Sequence, residues 1–213
     1  MRADRVSAVL ATLWVLAMSA PLEARADSAQ VLTFLEVRTD AAASAGTLLR
    51  RYAQRLRGDE PSLTARVLRQ MDRPEHFLLL EASDRPELLL DRERQARPIL
   101  QSVTILLTAP PDRRTHRSFV SACPSGVADA APSAQPEKKS SGREAIYVIA
   151  HLDIAGPVSE APRAALERLA GAACRAAGNE SFDVWQQLDR GNHFNLIARW
   201  SRRRAFSLSL IHI

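Results

Sequence analysis

The sequence predicts an α+β protein made of two tandem βαββαβ units, and two observations support this prediction. First, QMDRPEHFLL at positions 70–79 matches QLDRGNHFNL at positions 187–196 without a gap. Second, strand-like segments and segments with apolar residues at helical spacing follow each other in the same order in both halves. An internal match of this kind indicates a duplicated structural unit.

The first half begins with a strand and a helix. Positions 31–37, VLTFLEV, are rich in β-branched and aromatic residues and predict a strand. The segment that starts at Ser44 predicts a helix, because its apolar residues recur at helical spacing: Leu48, Leu49, Tyr52 and Leu56. Gly58 is expected to end this helix.

A hairpin, a second helix and a last strand complete the first unit. SLTARVLRQMD predicts a strand, DRPE a turn and HFLLLEAS the returning strand. ELLLDRERQARPIL predicts a helix interrupted near Pro98, followed by a strand from Ser102 to Ala109. The order βαββαβ is that of a ferredoxin-like unit. The first hairpin strand is expected to place four apolar side chains on one face: Leu63, Ala65, Val67 and Met71.

The second half repeats this order as far as the sequence continues. AIYVIAHLDI predicts a strand, APRAALERLAGAACRAAG a helix, and SFDVWQQLD with HFNLIARW a hairpin around DRGN. The helix places Leu166, Leu169 and Ala173 on one face. A second helix would begin at SRRRAF, so the second unit is expected to be incomplete. The two units are expected to pair sheet to sheet as an intrachain pseudo-dimeric α/β barrel.

The ends and the middle of the chain differ from these units in composition. Residues 1–26 predict a signal peptide cleaved after Ala26, because a basic start precedes a short apolar core and a small-residue site. Residues 27–120 form the first unit, residues 121–143 a Pro/Ser/Ala-rich linker and residues 144–207 the second unit. The final LSLIHI matches the translated end of a sequencing adapter. Residues 208–213 are therefore expected to be non-native, and His212 is assigned no role.

Composition and cysteine content bear on location and partners. The signal peptide predicts a periplasmic or secreted protein with no membrane span after cleavage. The net charge of +5 rests largely on arginine, which suits an anionic partner but also follows from GC-rich codons. Export argues against nucleic acid. Cys123 and Cys174 are either paired or free, and their spacing fits no metal motif.

Both hairpins resemble a known family. HFLLLEAS and HFNLIARW are similar to the pattern [N/H]-F-x-L-x-E-x-W of the antibiotic biosynthesis monooxygenase (ABM) family. The resemblance implies dimeric α/β barrels of ferredoxin-like units. It also implies activities that range from cofactor-free oxidation of quinols and polyketides to haem degradation. A monomer whose two units pair internally, or a homodimer, is expected.

The sequence departs from that pattern in each half. The first unit keeps the acid as Glu81, but Ser83 replaces the tryptophan, and Arg92 stands where the family often has a helix histidine. The second unit keeps Trp200, but Ala198 replaces the acid. The family histidine would fall at Ser209, inside the suspected adapter.

Strand alternation selects the candidate site residues. His193 and Asn195 share one face of the last strand, and Tyr147 and His151 share one face of the strand AIYVIAHLDI. Oxygenation of a quinol needs a base, for which His193 or His151 is the candidate, and a donor such as Asn195. Trp185, Trp200 and Tyr147 are the candidate substrate-binding residues, since aromatic rings stack on an aromatic substrate.

Each candidate also has a structural interpretation. His76 and His193 can cap the turns that precede them, both tryptophans can be core residues, and Asn195 can be a surface residue. Glu81, the first-unit counterpart of an acid in the family pattern, can pair with an arginine of the following helix.

Other chemistries lack their motifs. No Gly-rich phosphate loop, zinc-type Cys/His spacing or serine hydrolase motif is legible, so no metal site is expected. The resulting expectation is an exported monooxygenase of small aromatic or quinol substrates that needs no cofactor. The alternative is a non-catalytic protein that binds a small molecule or haem, or that serves interaction only.

Overall fold

The computed structural model describes residues 28–121, 123, 145–156 and 160–201. The first half contains β1 (Ala29–Glu36), α1 (Ala42–Arg57), β2 (Leu63–Arg69), β3 (His76–Ser83), α2 (Pro86–Thr104) and β4 (Asp112–Ser121). The second half contains β5 (Ile146–Asp153), α3 (Glu160–Arg175), β6 (Asn179–Gln187) and β7 (His193–Trp200). The predicted α+β class with ferredoxin-like units is confirmed. The predicted helix at SRRRAF lies outside the described residues.

One antiparallel sheet runs through both halves. Its strand order is β2-β3-β1-β4-β6-β7-β5. Strand β4 pairs with β1 on one side and with β6 on the other, so it joins the two halves. The two halves use the same register, because Glu36 faces His76 across β1 and β3 as Asp153 faces His193 across β5 and β7.

The outer face of the sheet is covered by helices. In the first half, α1 and α2 pack on apolar side chains of β1, β2 and β3, including the buried Val31, Leu63 and Leu79. In the second half, α3 packs on β6 and β7 through Leu166, Ala170 and Ala173. These are ordinary amphipathic helices with one apolar stripe against the sheet.

The inner face of the sheet forms a third core that both halves share. Leu32, Leu78 and Leu80 of the first half cluster with Trp185 and Ile197 of the second. Side chains of the terminal strands β2 and β5, Leu68 and Ile149, pack against the same cluster. The sheet therefore curls, and the two halves pair sheet to sheet as the sequence predicts.

The last two elements of the first half differ from the prediction. Helix α2 continues through Pro98 to Thr104, so it is not interrupted there, and Ser102–Thr104 are helical rather than a strand. Buried Ala96 and Val103 hold both sides of the proline against the core, which outweighs the lost backbone hydrogen bond. Leu107 makes only an isolated bridge to Val37.

The strand that closes the first unit is β4, at Asp112–Ser121. Its sequence DRRTHRSFVS is too polar to predict a strand, and within it only His116 and Val120 are buried. Backbone pairing with β1 and β6, rather than apolar patterning, determines this strand.

Two smaller predictions have different outcomes. Helix α1 ends at Arg57, and Gly58 follows with a φ of 51°, a left-handed conformation that glycine adopts without steric cost. Met71 does not share the buried face of β2, because the strand ends at Arg69 and the Met71 side chain is 62% exposed.

Cys123 and Cys174 are paired rather than free. Cys123 and Cys174 form a disulfide that ties the chain just after β4 to the C-terminal turn of α3. No helix in the described ranges is long and apolar enough to cross a membrane.

Candidate functional site

The predicted site residues lie on opposite faces of the sheet. Asn195 and His193 are on the inner face of β7, which they share with Trp185 of β6. Trp200 is on the outer face, where it is buried beneath α3. The two tryptophans therefore do not line a common space.

A buried polar pair crosses the inner face. The Asn195 Nδ2 atom lies 2.7 Å from His116 Nε2, and both side chains are fully buried. Burial lowers the pKa of His116 to about 4, so the ring is neutral at pH 7 and Nε2 accepts from the Asn195 amide. Trp185 packs nearby, with its ring centroid 6.2 Å from that of His116.

This pair keeps two polar atoms without hydrogen-bond partners among the described residues. They are His116 Nδ1 and Asn195 Oδ1. Unsatisfied buried groups are costly, and they often mark a functional or strained position. The sequence prediction contained Asn195 but missed His116, whose segment DRRTHR has no apolar pattern that indicates burial.

His151 and His193 converge on Asp153 at one end of the second hairpin. Asp153 Oδ1 lies 2.7 Å from His193 Nδ1 and 2.9 Å from His151 Nε2. The two ring nitrogens are 3.3 Å apart. His151 and Asp153 are exposed and His193 is half-buried, so this cluster is accessible to solvent.

Glu81 lies in a buried network on the outer face of the first half. The Tyr52 hydroxyl donates to Glu81 Oε1 at 2.8 Å, and Arg113 Nη1 lies 3.5 Å from Glu81 Oε2. Burial, together with the nearby charge of Glu93, raises the pKa of the Glu81 carboxyl to about 7. The arginine comes from β4, so the expected partner from the following helix is wrong.

Beside this network lies a groove of about 380 Å³, which we call the α2 groove. Helix α2 forms one wall and strand β4 the other, and Leu188 of the second half contributes to the rim. Glu93 and Arg113 meet in it, with Arg113 Nη2 donating to Glu93 Oε1 at 2.6 Å. Its apolar lining includes Val31, Pro86, Leu89 and Leu90.

None of the predicted site residues lines the α2 groove. Glu81 comes closest, because Arg113 links it to the groove. His76 begins β3 and lies 3.9 Å from Glu75, while Tyr147 is half-buried on β5 opposite Arg199. The sequence missed this groove because its β4 wall was not predicted, although Leu89, Leu90 and Glu93 of the other wall lie within the predicted helix.

Comparisons with known proteins show the fold. No family model matches the sequence, and no curated protein does either. The structure superimposes on a “putative monooxygenase” from Fusobacterium nucleatum with a TM-score of 0.64 at 11% identity, covering 84% of this chain and 78% of the other. A second protein of the same description, from Lactobacillus acidophilus, gives 0.63 at 9% identity, over 85% and 80% of the two chains.

A third solved structure, of an anthrone oxidase-like protein, gives a TM-score of 0.59 at 15% identity. It covers 86% of this chain and 77% of that one. Each match spans both halves of the described structure, so the expected architecture of paired ferredoxin-like units is confirmed. At these identities the likeness concerns the fold.

Proposed function

We propose that this protein is a monooxygenase that oxidises a small phenol or quinol in the α2 groove. The observation that carries the proposal is the arrangement of Glu93, Arg113 and Glu81. Here an apolar cleft meets an arginine that bridges two carboxyl groups, and one of these groups has its pKa raised to about 7. A perturbed acid next to a cleft is a common mark of a catalytic site.

The groove suits a small, flat, weakly acidic ligand. Its volume of about 380 Å³ falls near the lower end of the range for small-molecule sites. The side chains of Leu90, which is 55% exposed, and of the half-buried Pro86 provide contact area for a ring. The guanidinium group of Arg113 can hold an anionic oxygen, because its several donors are fixed in one plane.

In this proposal Glu93 accepts the proton of the substrate hydroxyl. Glu93 lines the groove, whereas Glu81 is only 1% exposed. Arg113 then stabilises the resulting phenolate oxygen. Glu81 is a positioning residue: Tyr52 fixes its carboxyl, and its charge state near pH 7 determines how strongly Arg113 is held away from the substrate.

The reaction balances without an added reductant. An anthrone-type substrate supplies all four electrons when its ring CH₂ group becomes C=O and O₂ is reduced, with one oxygen atom entering the product and the other leaving as water. The chain must bind the anion, exclude bulk water from it and return the proton. The α2 groove provides groups for each of these tasks.

Haem fits this groove poorly. Haem iron needs an axial ligand that faces it. The histidine that contributes to the groove is His116, but its side chain is fully buried and its Nε2 is bound to Asn195. We therefore propose that the enzyme needs no cofactor.

A second candidate function is non-catalytic binding of an aromatic anion in the same groove. The burial of Glu81 favours it, since both of its oxygens already have partners within the protein. A ligand would then replace Glu93 on Arg113 without further chemistry.

We also propose that the protein acts outside the cytoplasm. The Cys123–Cys174 disulfide supports this location, because such bonds persist in oxidising compartments. Fractionation of the source cells tests it: the chain is expected in the periplasmic or secreted fraction, and recovery from the cytosol with free thiols would contradict it.

Oxygen uptake tests the activity. A panel of quinols, phenols and an anthrone is offered to the wild type, to Glu93→Gln and to Glu87→Gln, an exposed acid in the first turn of the same helix. Loss of the base should lower kcat by roughly 10²- to 10⁴-fold in Glu93→Gln, with Glu87→Gln unchanged. Equal turnover in both variants would refute the assignment.

Two further results from this assay separate the alternatives. Ligand binding by the wild type with no oxygen uptake would favour the binding function. Oxygen uptake that is unchanged in Glu93→Gln but lost in His193→Ala and Asn195→Ala would show that the active site lies in the second half, where the sequence predicts it.

A further inference from the structure

We propose that His151, Asp153 and His193 bind one divalent transition-metal ion of the zinc type. The inference goes beyond the proposed function, because none of these residues lines the α2 groove. Two imidazoles and one carboxylate are a common set of three protein ligands for such an ion, with the remaining positions left to solvent. We call these three residues the triad.

The spacing of the triad atoms matches a common centre. His151 Nε2, Asp153 Oδ1 and His193 Nδ1 are 2.7, 2.9 and 3.3 Å from one another. Ligand atoms at about 2.0–2.1 Å from a tetrahedral metal lie about 3.3 Å apart. A shift of a few tenths of an ångström therefore brings all three atoms to bonding distance from one ion.

Protons alone cannot make all three contacts favourable. If both ring nitrogens carry a hydrogen, each can donate to Asp153, but the 3.3 Å contact between the two nitrogens is then not a hydrogen bond. If either nitrogen lacks its hydrogen, its lone pair faces the carboxylate oxygen instead. A cation at the centre would be attracted to three lone pairs at once.

The sheet holds the triad in place. Asp153 and His193 are direct partners across β5 and β7, and His151 is two residues earlier on the same face of β5. Ligands on paired strands are more precisely positioned than ligands on loops. The sequence did not indicate the site, because the two histidines are 42 residues apart and meet only through the strand register.

The charged side chains around the triad do not oppose a cation. Arg114 and Arg190 are nearby positive groups, and the Arg114 guanidinium binds Asp112 through Nε at 3.0 Å and Nη2 at 2.6 Å. Its charge is thus offset by Asp112. The carboxylate of Asp153 remains available to the two histidines, and its side chain is more than half exposed, which leaves a path for the ion.

The first half contains a natural control for this site. Glu36 and His76 occupy the register positions of Asp153 and His193, but Phe34 stands where His151 does. His76 also has a carboxylate neighbour, Glu75. Among the described residues, the triad is the group of three such side chains whose ligand atoms lie within 4.8 Å of one another, so zinc is expected to bind in the second half alone.

Competition for Zn²⁺ against a chromophoric chelator tests the proposal on the full chain after any affinity tag is removed. The wild type is expected to bind one equivalent. His151→Phe, which copies the first half, and Asp153→Asn, which keeps the side-chain shape, should each weaken binding by roughly 100-fold or more, since even indirect changes at such sites cost about 10- to 100-fold. His76→Ala should bind as the wild type does.

Two outcomes would overturn the proposal. One is a wild-type affinity that neither triad variant changes, and the other is preference for Mg²⁺ over Zn²⁺, which a nitrogen-rich site does not allow. Co²⁺ provides a second measurement that needs no variant. The proposal predicts visible bands from imidazole-ligated Co²⁺ in the wild type, and a spectrum identical to aqueous Co²⁺ would refute it.

Discussion

Replacement of Glu81 by glutamine should change how the stability of this protein depends on pH. The folded state raises the pKa of Glu81 from 4.5 to about 7, so it retains a proton that the unfolded chain releases. The contribution of Glu81 to the free energy of unfolding is fully present below pH 4.5 and is lost as the pH rises towards 7. At about 1.4 kcal/mol per pKa unit, the wild type loses about 3 kcal/mol across this window and Glu81→Gln does not.

His116 has the opposite effect in nearly the same window. Burial lowers its pKa from 6.5 to about 4, so its contribution is present above pH 6.5 and is lost as the pH falls towards 4. This contribution is also about 3 kcal/mol. The two effects offset each other in the wild type. As the pH rises from 4.5 to 7, Glu81→Gln should therefore gain stability relative to the wild type. Over the same rise, His116→Gln should lose stability relative to the wild type.

Urea unfolding at intervals from pH 4.5 to 8 measures both effects. The other carboxylates contribute equally to the variant and the wild type, so their effects cancel in the difference between the two free energies of unfolding. Glu87→Gln serves as the exposed control. A constant difference across the range for Glu81→Gln would refute the reasoning, because it would mean that the buried carboxyl titrates normally.

Three further predictions concern stability. Serine at both Cys123 and Cys174 should lower the free energy of unfolding by about 4 kcal/mol, since the disulfide closes a loop with a separation of 51 residues, and thermal or denaturant unfolding measures this. Asn195→Leu, which copies Leu78 of the first half, should cost about 1–3 kcal/mol in denaturant unfolding because His116 loses its donor. Trp200→Ala should cost about 3–5 kcal/mol by the same measurement, with no loss of oxygen uptake per folded molecule, because Trp200 lies beneath α3.

Strand alternation and the internal match predicted much of the fold. The alternation in HFNLIARW correctly separates the outward Trp200 from the inward Asn195, because one face of each strand is buried against a helix. The match also predicted two copies of one hairpin, and the structure shows them in the same register, with Arg69 facing Phe77 as Gln186 faces Phe194. Both patterns are local in the sequence. Local patterns predict an element correctly where that element has one clearly apolar side.

The elements that the sequence missed depend on distant contacts. Strand β4 is polar and forms because two backbones lie beside it, so its own residues give little sign of it. Helix α2 passes through Pro98 because the core holds it on both sides. The α2 groove lies between these two elements, and the triad requires the register of β5 against β7, so neither site could be located from spacing alone.

A crystal structure with bound quinone product tests the central claim most directly. The proposal places the ring in the α2 groove against Leu90, with its oxygen on the guanidinium of Arg113 and the Arg113–Glu93 contact opened. Product density at that position would confirm the site. Density against Trp185 and Asn195 on the inner face, with the Arg113–Glu93 pair intact, would contradict it.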